Sequence, residues 1–335
     1  MSESTPRVVV LGRIHEAGIA ALRAAGFAVD EQPDDPPGLE RLVRDADAIV
    51  VRTTRIGADV VAAAPALQLV ARHGVGYDAV DVDALSARGI PLALTGDVNS
   101  GAVAEHALAL MLALAKRIPA YDHAIRTGDY GIRDTFGASE LADKTLLCIG
   151  FGRIGRKVAA LCRALSMRVL VSDPFAAAGD VEAAGATPIA DLREGLAAAD
   201  WVTLHAPRSA STEHLLGRAE IGAMKPGAFL VNVARGGLVD EVAALEALEA
   251  EHLAGIGLDV FEHEPLPADD PLARHPRTVL TPHSAAFTAE CSRRMALACA
   301  RNVIDRFGDG LDPEVVVNDT VLGDTTPAAG RSPSC

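Results

Sequence analysis

Short apolar runs alternate with helical patterns along the first part of the chain. Five runs have the length and composition of β-strands, at residues 7–12, 27–30, 48–51, 67–71 and 91–94. Between them, apolar residues recur at helical spacing, at residues 16–25, 39–44 and 83–88. This alternation predicts a parallel sheet with helices on its faces. Because these residues contain no glycine fingerprint, we expect a flavodoxin-like α/β lobe.

The rest of the chain repeats the alternation after a long apolar segment. Residues 101–117 predict a helix that crosses between two lobes, with Asn99 and Ser100 as candidate N-caps. The polar residues 120–141 are interpreted as an extended connection. A last helical pattern covers residues 288–307. Apolar runs between these segments predict further strands, at residues 146–149, 167–171, 201–205, 229–233, 256–260 and 278–280.

Residues 145–173 have the order of a dinucleotide-binding βαβ unit: an apolar run, G-x-G-x-x-G, a helical segment and a second apolar run. Gly150 permits a tight turn, Gly152 lets a pyrophosphate approach the backbone, and Gly155 lets helix and strand pack closely. The helix start offers N–H groups and a positive dipole end to phosphates. Asp173 could accept hydrogen bonds from ribose hydroxyls and would repel a 2′-phosphate, which favours NAD over NADP. A glycine-rich turn in another α/β protein is the alternative.

Composition and charge narrow the class of protein. A length of 335 residues suggests two domains. The net charge of −14 and the pI near 5.1 argue against nucleic acid and anionic membranes as partners. No signal-peptide pattern is visible, and the five cysteines lack metal-site spacing, so we expect no metal and a reducing, cytoplasmic location. The small, polar residues from about 320 to 335 predict a disordered tail.

Three side chains follow predicted strands at the carboxyl edge of the second sheet, the edge that carries ligands in open α/β proteins. Arg235 precedes two glycines in NVARGGLVD, where its guanidinium could hold a carboxylate in a bidentate pair. Glu264 lies in GLDVFEHEP and His283 in LTPHS. A carboxylate beside a histidine orients the ring and favours its protonated form, which makes an acid/base pair. A surface arginine and a structural histidine are the competing interpretations.

Six motifs together resemble the D-isomer-specific 2-hydroxyacid dehydrogenase family, which includes phosphoglycerate dehydrogenases and hydroxypyruvate reductases. They are HGVGYDAVDVDAL, NSGAVAEHALALMLAL, GFGRIGRKVA, VNVARGGLVD, GLDVFEHEP and LTPHSA. The resemblance extends from about residue 50 to residue 318. It implies two Rossmann-like or flavodoxin-like lobes with parallel sheets and an active site in the interdomain cleft. The substrate lobe would comprise residues 1–98 and 287–335, and the NAD-binding lobe residues 99–286.

The resemblance further implies reversible hydride transfer between NAD(H) and a small D-2-hydroxy acid or 2-oxo acid, an activity of the EC 1.1.1 class. Arg235 would bind the substrate carboxylate, with Glu264 and His283 as the acid/base dyad. Other implied substrate contacts are the backbone N–H groups of Val75 and Gly76, and the side chain of Arg52. Implied cofactor contacts, besides the three glycines, are Arg153 and Ile154 under the pyrophosphate, Asp173 at the adenosine ribose, Val233, Ala234 and Asp259 at the nicotinamide end, and His205, Pro207 and Thr212 nearby. A structural role for His205 is equally open.

The resemblance also implies a homodimer, formed by helix 101–117 and the connection after it.

Two departures from the family's usual pattern affect the shape expected near cofactor and substrate. Arg208 stands where leucine is common, and residues 284–286 are Ser-Ala-Ala where glycines are common. Because the chain ends soon after Asn318, we expect no C-terminal regulatory domain and no serine feedback through one.

Two other functions stay open. One is an NADH-sensing binding protein, similar to the transcriptional corepressors that resemble this family, which would bind NADH without turning over a 2-oxo acid. The other is a phosphite dehydrogenase; Glu264 argues against a formate dehydrogenase, because the family's formate enzymes differ at the acid position. The sequence does not identify the acid. A second anionic subsite could come from arginines that are otherwise ordinary solvated residues, namely Arg52, Arg55, Arg72 and Arg133.

Overall fold

The computed structural model describes residues 5–323. These residues form two compact units. The first contains the chain up to Asn99 and from Ala289 onward, and the second is Ser100–Thr288. Among residues 5–323, no helix combines the length and apolarity that crossing a membrane requires.

The first unit is built on a five-stranded sheet in which every pair is parallel, in the order β2-β1-β3-β4-β5. Its elements in chain order are β1 (Arg7–Leu11), α1 (Glu16–Ala24), β2 (Ala28–Gln32), α2 (Leu39–Leu42), β3 (Ala48–Val51), α3 (Ala58–Ala63), β4 (Leu69–Arg72), α4 (Val82–Ala87) and β5 (Leu92–Ala93). The central strands are almost wholly Val, Ile, Leu and Ala because helices cover both faces of the sheet. The five predicted strands and the flavodoxin-like order are confirmed. The sequence did not predict α3, in which Val60 and Val61 are weak helix formers.

The second unit contains a seven-stranded parallel sheet in the order β12-β11-β10-β9-β6-β7-β8. Its elements are α5 (Ser100–Ala115), α6 (Ile118–Thr127), β6 (Thr145–Ile149), α7 (Arg153–Ala164), β7 (Arg168–Ser172), α8 (Ala178–Ala183), β8 (Thr187–Pro188), α9 (Leu192–Ala198), β9 (Trp201–Leu204), α10 (Arg218–Ala223), β10 (Ala228–Asn232), α11 (Glu241–Glu249), β11 (Leu253–Leu258), α12 (Pro271–Arg274) and β12 (Thr278–Leu280). The order around β6 is that of a dinucleotide-binding sheet, which confirms the Rossmann prediction. The two-residue strand β8 was too short to be predicted.

Helix α5 is largely apolar because it is buried between α7 and the sheet, where it packs against β11. A Cβ atom added at Gly255 would come within 3.0 Å of the Leu114 side chain, and one at Gly257 within 3.2 Å of the Leu110 Cβ atom. These two glycines therefore let the helix lie close to the strand. The burial explains an apolar stretch that composition alone could confuse with part of a membrane segment.

The interpretation of residues 120–141 as an extended connection was wrong. Helix α6 occupies residues 120–127 of this range, and a 3-10 helix follows at Tyr130–Thr135. Pro119 lies in the first turn of α6, where its missing N–H costs no hydrogen bond. Arg117 and Gly128 both have left-handed backbones, with φ of 52° and 85°, and they set the ends of α6. The polar composition concealed this helix.

The final long helix, α13 (Ala289–Phe307), returns to the first unit and packs against α1. Gly18 makes this packing possible, because an added Cβ there would lie 2.6 Å from the Ala296 carbonyl oxygen. The helix predicted at residues 288–307 is confirmed. The disordered tail predicted from about residue 320 stays a prediction, and the described chain before it ends in a 3-10 helix at Asp319–Leu322. Residues 324–335 lie outside the described residues.

Candidate active site

The three glycines of the βαβ turn have three different surroundings. Gly150 has a φ of 92°, and a Cβ there would lie 2.7 Å from the His205 carbonyl carbon. A Cβ on Gly155 would lie 2.1 Å from the Gly150 carbonyl oxygen. At Gly152, which caps the 12-residue helix α7, an added Cβ would meet nothing within 4 Å. The protein fills the space beside Gly150 and Gly155, and it leaves open the helix start where a phosphate group would bind.

Asp173 connects the glycine turn to the end of β7. Its Oδ2 atom accepts a hydrogen bond of 2.6 Å from the Phe151 N–H, and its Oδ1 atom accepts one of 2.8 Å from the Phe175 N–H. Each carboxylate oxygen has a further lone pair that could accept from a ribose hydroxyl. Asp173 therefore holds the turn in addition to the ribose contact that the resemblance implied. This tie was not visible in the sequence.

The structure brings His283 and Glu264 together. The His283 Nδ1 atom donates to the Glu264 Oε2 atom at 2.8 Å, with 49% of the histidine side chain and 36% of the glutamate side chain exposed. The other carboxylate oxygen, Oε1, accepts from the Phe261 N–H at 3.0 Å. Because Nδ1 is engaged, Nε2 is the ring atom that can exchange a proton with a ligand.

Five influences act on the charge of Glu264. Burial would raise the pKa of its carboxyl group. The hydrogen bonds from His283 and from the Phe261 N–H, together with the positive charges of His283 and Arg235, lower that pKa below its ordinary value. Glu264 is therefore a carboxylate at neutral pH, and its negative charge attracts the positive charge of the protonated His283 ring.

Asp259 holds the loop that carries His283. It is 1% exposed. Its Oδ1 atom accepts from the Thr281 hydroxyl at 2.6 Å and the Ser284 N–H at 2.8 Å, and its Oδ2 atom accepts from the Ala285 N–H at 2.9 Å. His283 itself has a left-handed backbone with φ of 50°, an uncommon conformation outside glycine. The resemblance implied only a cofactor contact for Asp259; its position directly after a buried strand was the one available signal for this further role.

Arg235 lies in a tight turn after β10. The Asn232 side chain closes this turn, since its amide nitrogen donates to the Arg235 carbonyl at 2.8 Å and its amide oxygen accepts from the Ala234 N–H at 3.0 Å. The Arg235 Nη1 atom donates to the Ala234 carbonyl at 2.6 Å. Arg235 is close enough to Glu264 to lower the pKa of that carboxyl group. Val233, which the resemblance placed near the nicotinamide, is buried beside this turn.

The loop after β9 contains three of the implied cofactor residues. Burial lowers the pKa of His205 to about 3, so this ring is neutral. Its Nε2 atom hydrogen-bonds to the Thr203 hydroxyl at 3.1 Å, and its buried Nδ1 atom has no hydrogen-bond partner among residues 5–323. The Thr212 hydroxyl donates to the Pro207 carbonyl at 2.8 Å, so it shapes its own loop. The unpartnered Nδ1 atom is compatible with a polar group of a bound cofactor.

Arg208, the departure from the family pattern, has a defined place. It forms a bidentate pair with Glu213, at 2.8 and 2.9 Å. A Cβ added at Gly237 would lie 2.9 Å from its guanidinium carbon. The arginine side chain therefore covers Gly237 in the turn that follows Arg235.

The implied substrate residues Arg52, Val75 and Gly76 belong to the first unit. The Arg52 Nη2 atom pairs with the Asp34 Oδ2 atom at 2.7 Å. Val75 and Gly76 are half-buried in the loop after β4. In that loop His73 is 3% exposed, and among residues 5–323 neither ring nitrogen has a hydrogen-bond partner of good geometry, although backbone groups of His73 and Ser292 lie near the ring. Burial, and then the charges of Arg72 and Arg52, lower its pKa to about 4.

Within the described part of the chain, no group of three or more His, Cys, Asp and Glu side chains is arranged to hold a metal ion. The groups that meet at the carboxyl edge of the second sheet are instead a glycine turn, an arginine and a histidine–carboxylate pair. Such a set can bind an anion, hold a dinucleotide and move a proton.

Comparisons with known proteins agree with this arrangement. Residues 108–285 match the family model described as D-isomer specific 2-hydroxyacid dehydrogenase, NAD binding domain. A D-3-phosphoglycerate dehydrogenase of Archaeoglobus fulgidus is 38% identical over 316 residues, which cover 93% of this chain and 59% of that protein. A glyoxylate reductase of Korarchaeum cryptofilum is 36% identical over 331 residues, which cover 95% of this chain and 97% of that protein.

Among solved structures, the NADPH-dependent glyoxylate/hydroxypyruvate reductase of Sinorhizobium meliloti, in complex with NADP and malonate, superposes with a TM-score of 0.84 at 30% identity. The match covers 95% of this chain and 98% of that one. The chain spans only 52–59% of the length of phosphoglycerate dehydrogenases that it matches.

Proposed function

The chain belongs to the D-isomer-specific 2-hydroxyacid dehydrogenase family, and we propose that it reversibly transfers a hydride between NAD(H) and a small 2-oxo or D-2-hydroxy acid. One observation carries the proposal: the 2.8 Å hydrogen bond between His283 and Glu264, beside Arg235, at the carboxyl edge of a dinucleotide-type sheet. Together these groups supply an anion anchor and a proton donor. The second unit would hold the cofactor, and Arg52, Val75 and Gly76 of the first would contact the substrate.

The residues divide the chemistry between them. Bound NAD would supply the carbon centre that gives or takes the hydride. The open helix start at Gly152, with Arg153 and Ile154, would hold the pyrophosphate, and Asp173 the ribose. Arg235 would bind the substrate carboxylate with its planar fork, which orients the neighbouring carbonyl. His283 Nε2 would give a proton to the carbonyl oxygen during reduction and take it back during oxidation, while Glu264 holds the ring.

An assay of NADH oxidation against a panel of 2-oxo acids tests the proposal directly. The panel should pair phosphohydroxypyruvate with hydroxypyruvate, and include glyoxylate, pyruvate and a bulkier 2-oxo acid. We expect turnover of at least one member. Preference for the phosphorylated acid would support a second anionic subsite among Arg52, Arg55, Arg72 and Arg133. Tight NADH binding without turnover of any 2-oxo acid would support the NADH-sensing binding protein. Oxidation of phosphite with NAD would support the phosphite dehydrogenase.

Cofactor choice gives a first prediction. We expect the unmodified protein to prefer NAD over NADP, because the Asp173 carboxylate would repel a 2′-phosphate. Asp173→Ala should narrow the preference, by roughly tenfold if one charged hydrogen bond to the ribose is lost, and mainly through the KM for cofactor. Asp180→Ala, a change at an exposed aspartate in α8, is the control. Equal or better use of NADP by the unmodified protein would contradict this assignment.

The pH dependence of reduction gives a second prediction. Since the attraction that lowers the pKa of Glu264 also stabilises the protonated His283 ring, Glu264→Gln removes that support. We expect the alkaline limb of kcat/KM for reduction to move to lower pH, by about one unit. Oxidation needs the neutral His283 ring, so Glu264→Gln should lower kcat/KM for oxidation less than kcat/KM for reduction. A limb that stays in place would show that Glu264 does not tune His283, and the dyad assignment would have to be withdrawn.

We also propose a homodimer that uses α6 and the 3-10 segment after it. Large apolar side chains are exposed along this region: Ile118 (54%), Ile125 (57%), Tyr130 (67%) and Phe136 (86%). Such a row of exposed apolar groups is typical of an interface. Sedimentation equilibrium should show a dimer that Ile125→Asp weakens and Val242→Asp, at an exposed valine of α11, does not. A monomer in the unmodified protein would contradict the proposal.

A cytoplasmic location is proposed from the cysteines. Cys148, Cys162 and Cys299 are buried thiols that form no disulfide among residues 5–323. Burial raises the pKa of all three thiols, which makes them unreactive. Free, inert cysteines are typical of a protein in a reducing compartment.

A further inference from the structure

A second carboxylate pair holds the segment that carries Glu264. Glu241 is the first residue of α11. The Glu262 N–H donates to the Glu241 Oε1 atom at 2.7 Å, and the Glu241 N–H lies 3.4 Å from the Glu262 Oε1 atom. Each glutamate therefore accepts from the other's backbone. The Glu262 carboxylate lies at the start of the helix, where the helix dipole favours negative charge.

Two further contacts hold the same segment. The His214 Nε2 atom donates to the Glu262 Oε1 atom at 3.0 Å. Gly236 lies so close to the segment that an added Cβ would overlap the Phe261 carbonyl oxygen, at 1.7 Å. The Phe261 N–H is in turn the donor to Glu264 Oε1. Movement of Glu262 would therefore displace Phe261 and reorient the carboxylate that holds His283.

Glu241 changes its charge in the range where the enzyme would work. Burial raises the pKa of its carboxyl group, and the negative charges of Glu262, Asp270 and Glu264 raise it further, to about 7, although the Glu262 N–H opposes them. Glu241 is thus largely neutral below pH 7 and negative above it. In the ionised form it adds negative charge near the dyad.

We propose that Glu241 is a positioning residue for the acid/base pair: through Glu262 it fixes the segment that carries Glu264, and its ionisation supports the protonated form of His283 at neutral to alkaline pH. This inference rests on the proposed function of the dyad. The charged groups that face Glu241 and its partner are Glu262, Glu264 and Asp270, with His214 beyond Glu262. No contact of Glu241 with substrate or cofactor is required.

Two substitutions separate the two parts of the proposal. Glu241→Gln keeps an oxygen that can accept from the Glu262 N–H but never ionises. We expect its kcat below pH 7 to match the unmodified protein, and its alkaline limb for reduction to move to lower pH by roughly 0.3–1 unit. Glu241→Ala also removes the hydrogen bond, and we expect kcat to fall on the order of tenfold at every pH. NADH affinity should be unchanged in both. Glu249→Gln, at the exposed end of the same helix, is the control.

A measurement without turnover keeps this test independent of the proposed function. The NMR titration of the His283 ring in the NADH-bound protein should have a lower midpoint in Glu241→Gln than in the unmodified protein and in Glu249→Gln. An unchanged midpoint and an unchanged alkaline limb would overturn the charge effect, and an unchanged kcat in Glu241→Ala would overturn the positioning. A loss of Tm alone would assign Glu241 to the fold only. Absence of turnover in the unmodified protein would instead count against the dehydrogenase function.

Discussion

His283→Ala is expected to lower kcat for 2-oxo acid reduction on the order of 10²–10⁴-fold, the usual effect of losing a general acid. The alanine has no group that can give a proton to the carbonyl oxygen, and the Glu264 carboxylate then faces the site without its partner. NADH binding should persist, because the glycine turn and Asp173 do not depend on this ring. Single-turnover kinetics measure the rate of reduction, and NADH fluorescence titration measures cofactor binding separately.

The matched control is His263→Ala. His263 is exposed, lies next to Glu264 in the chain, and should be replaceable with little effect. The double variant of His283→Ala with Glu264→Gln should lose little more than His283→Ala alone, because residues that act as a unit are not additive. A kcat within about tenfold of the unmodified protein would leave His283 without the role of general acid.

Arg235→Lys should reduce kcat/KM for 2-oxo acids on the order of 10²-fold, although the positive charge is kept. Lysine cannot form the two parallel hydrogen bonds of a guanidinium with a carboxylate, and the substrate would lose its orientation. The Asn232 bonds that close the turn involve backbone atoms of residues 234 and 235, so the turn should survive. We therefore expect unchanged NADH affinity.

Arg193→Lys is the control for Arg235→Lys, since Arg193 forms an exposed ion pair with Glu220 in the same unit. Arg193→Lys should change neither kcat/KM for 2-oxo acids nor NADH affinity. A comparable loss of NADH affinity in Arg235→Lys would mean that Arg235 serves the cofactor or the fold. If Arg235→Lys lowers neither kcat/KM nor NADH affinity, Arg235 is an ordinary surface arginine.

The features predicted best from the sequence are those with a local cause. Gly150 has the left-handed backbone of a tight turn, and Gly155 lies where the helix comes close to the strand. Only glycine fits either position. The parallel sheets with helices on their faces followed from the alternation of strands and helices. Helix α6 was not predicted because the polar composition of residues 120–141 hides its helical spacing.

Other features depend on contacts between distant parts of the chain. The bond from Asp173 to Phe151, and those from Asp259 to the loop of His283, join elements that only the folded sheet brings together. The clamp between Glu241 and Glu262 is of the same kind. No local pattern marks these carboxylates as different from exposed ones, so their roles required the structure.

The packing of α13 on α1 has a consequence for synthesis of the chain. Gly18 leaves the ribosome early, but its packing partner Ala296 follows only after the whole of the second unit has been made. Until then, one face of the first sheet lacks the part of its cover that α13 provides, and its apolar strands are available for wrong pairings. The unit that is translated first is thus completed last, and a nascent chain stalled before α13 should require chaperone protection that a finished chain does not.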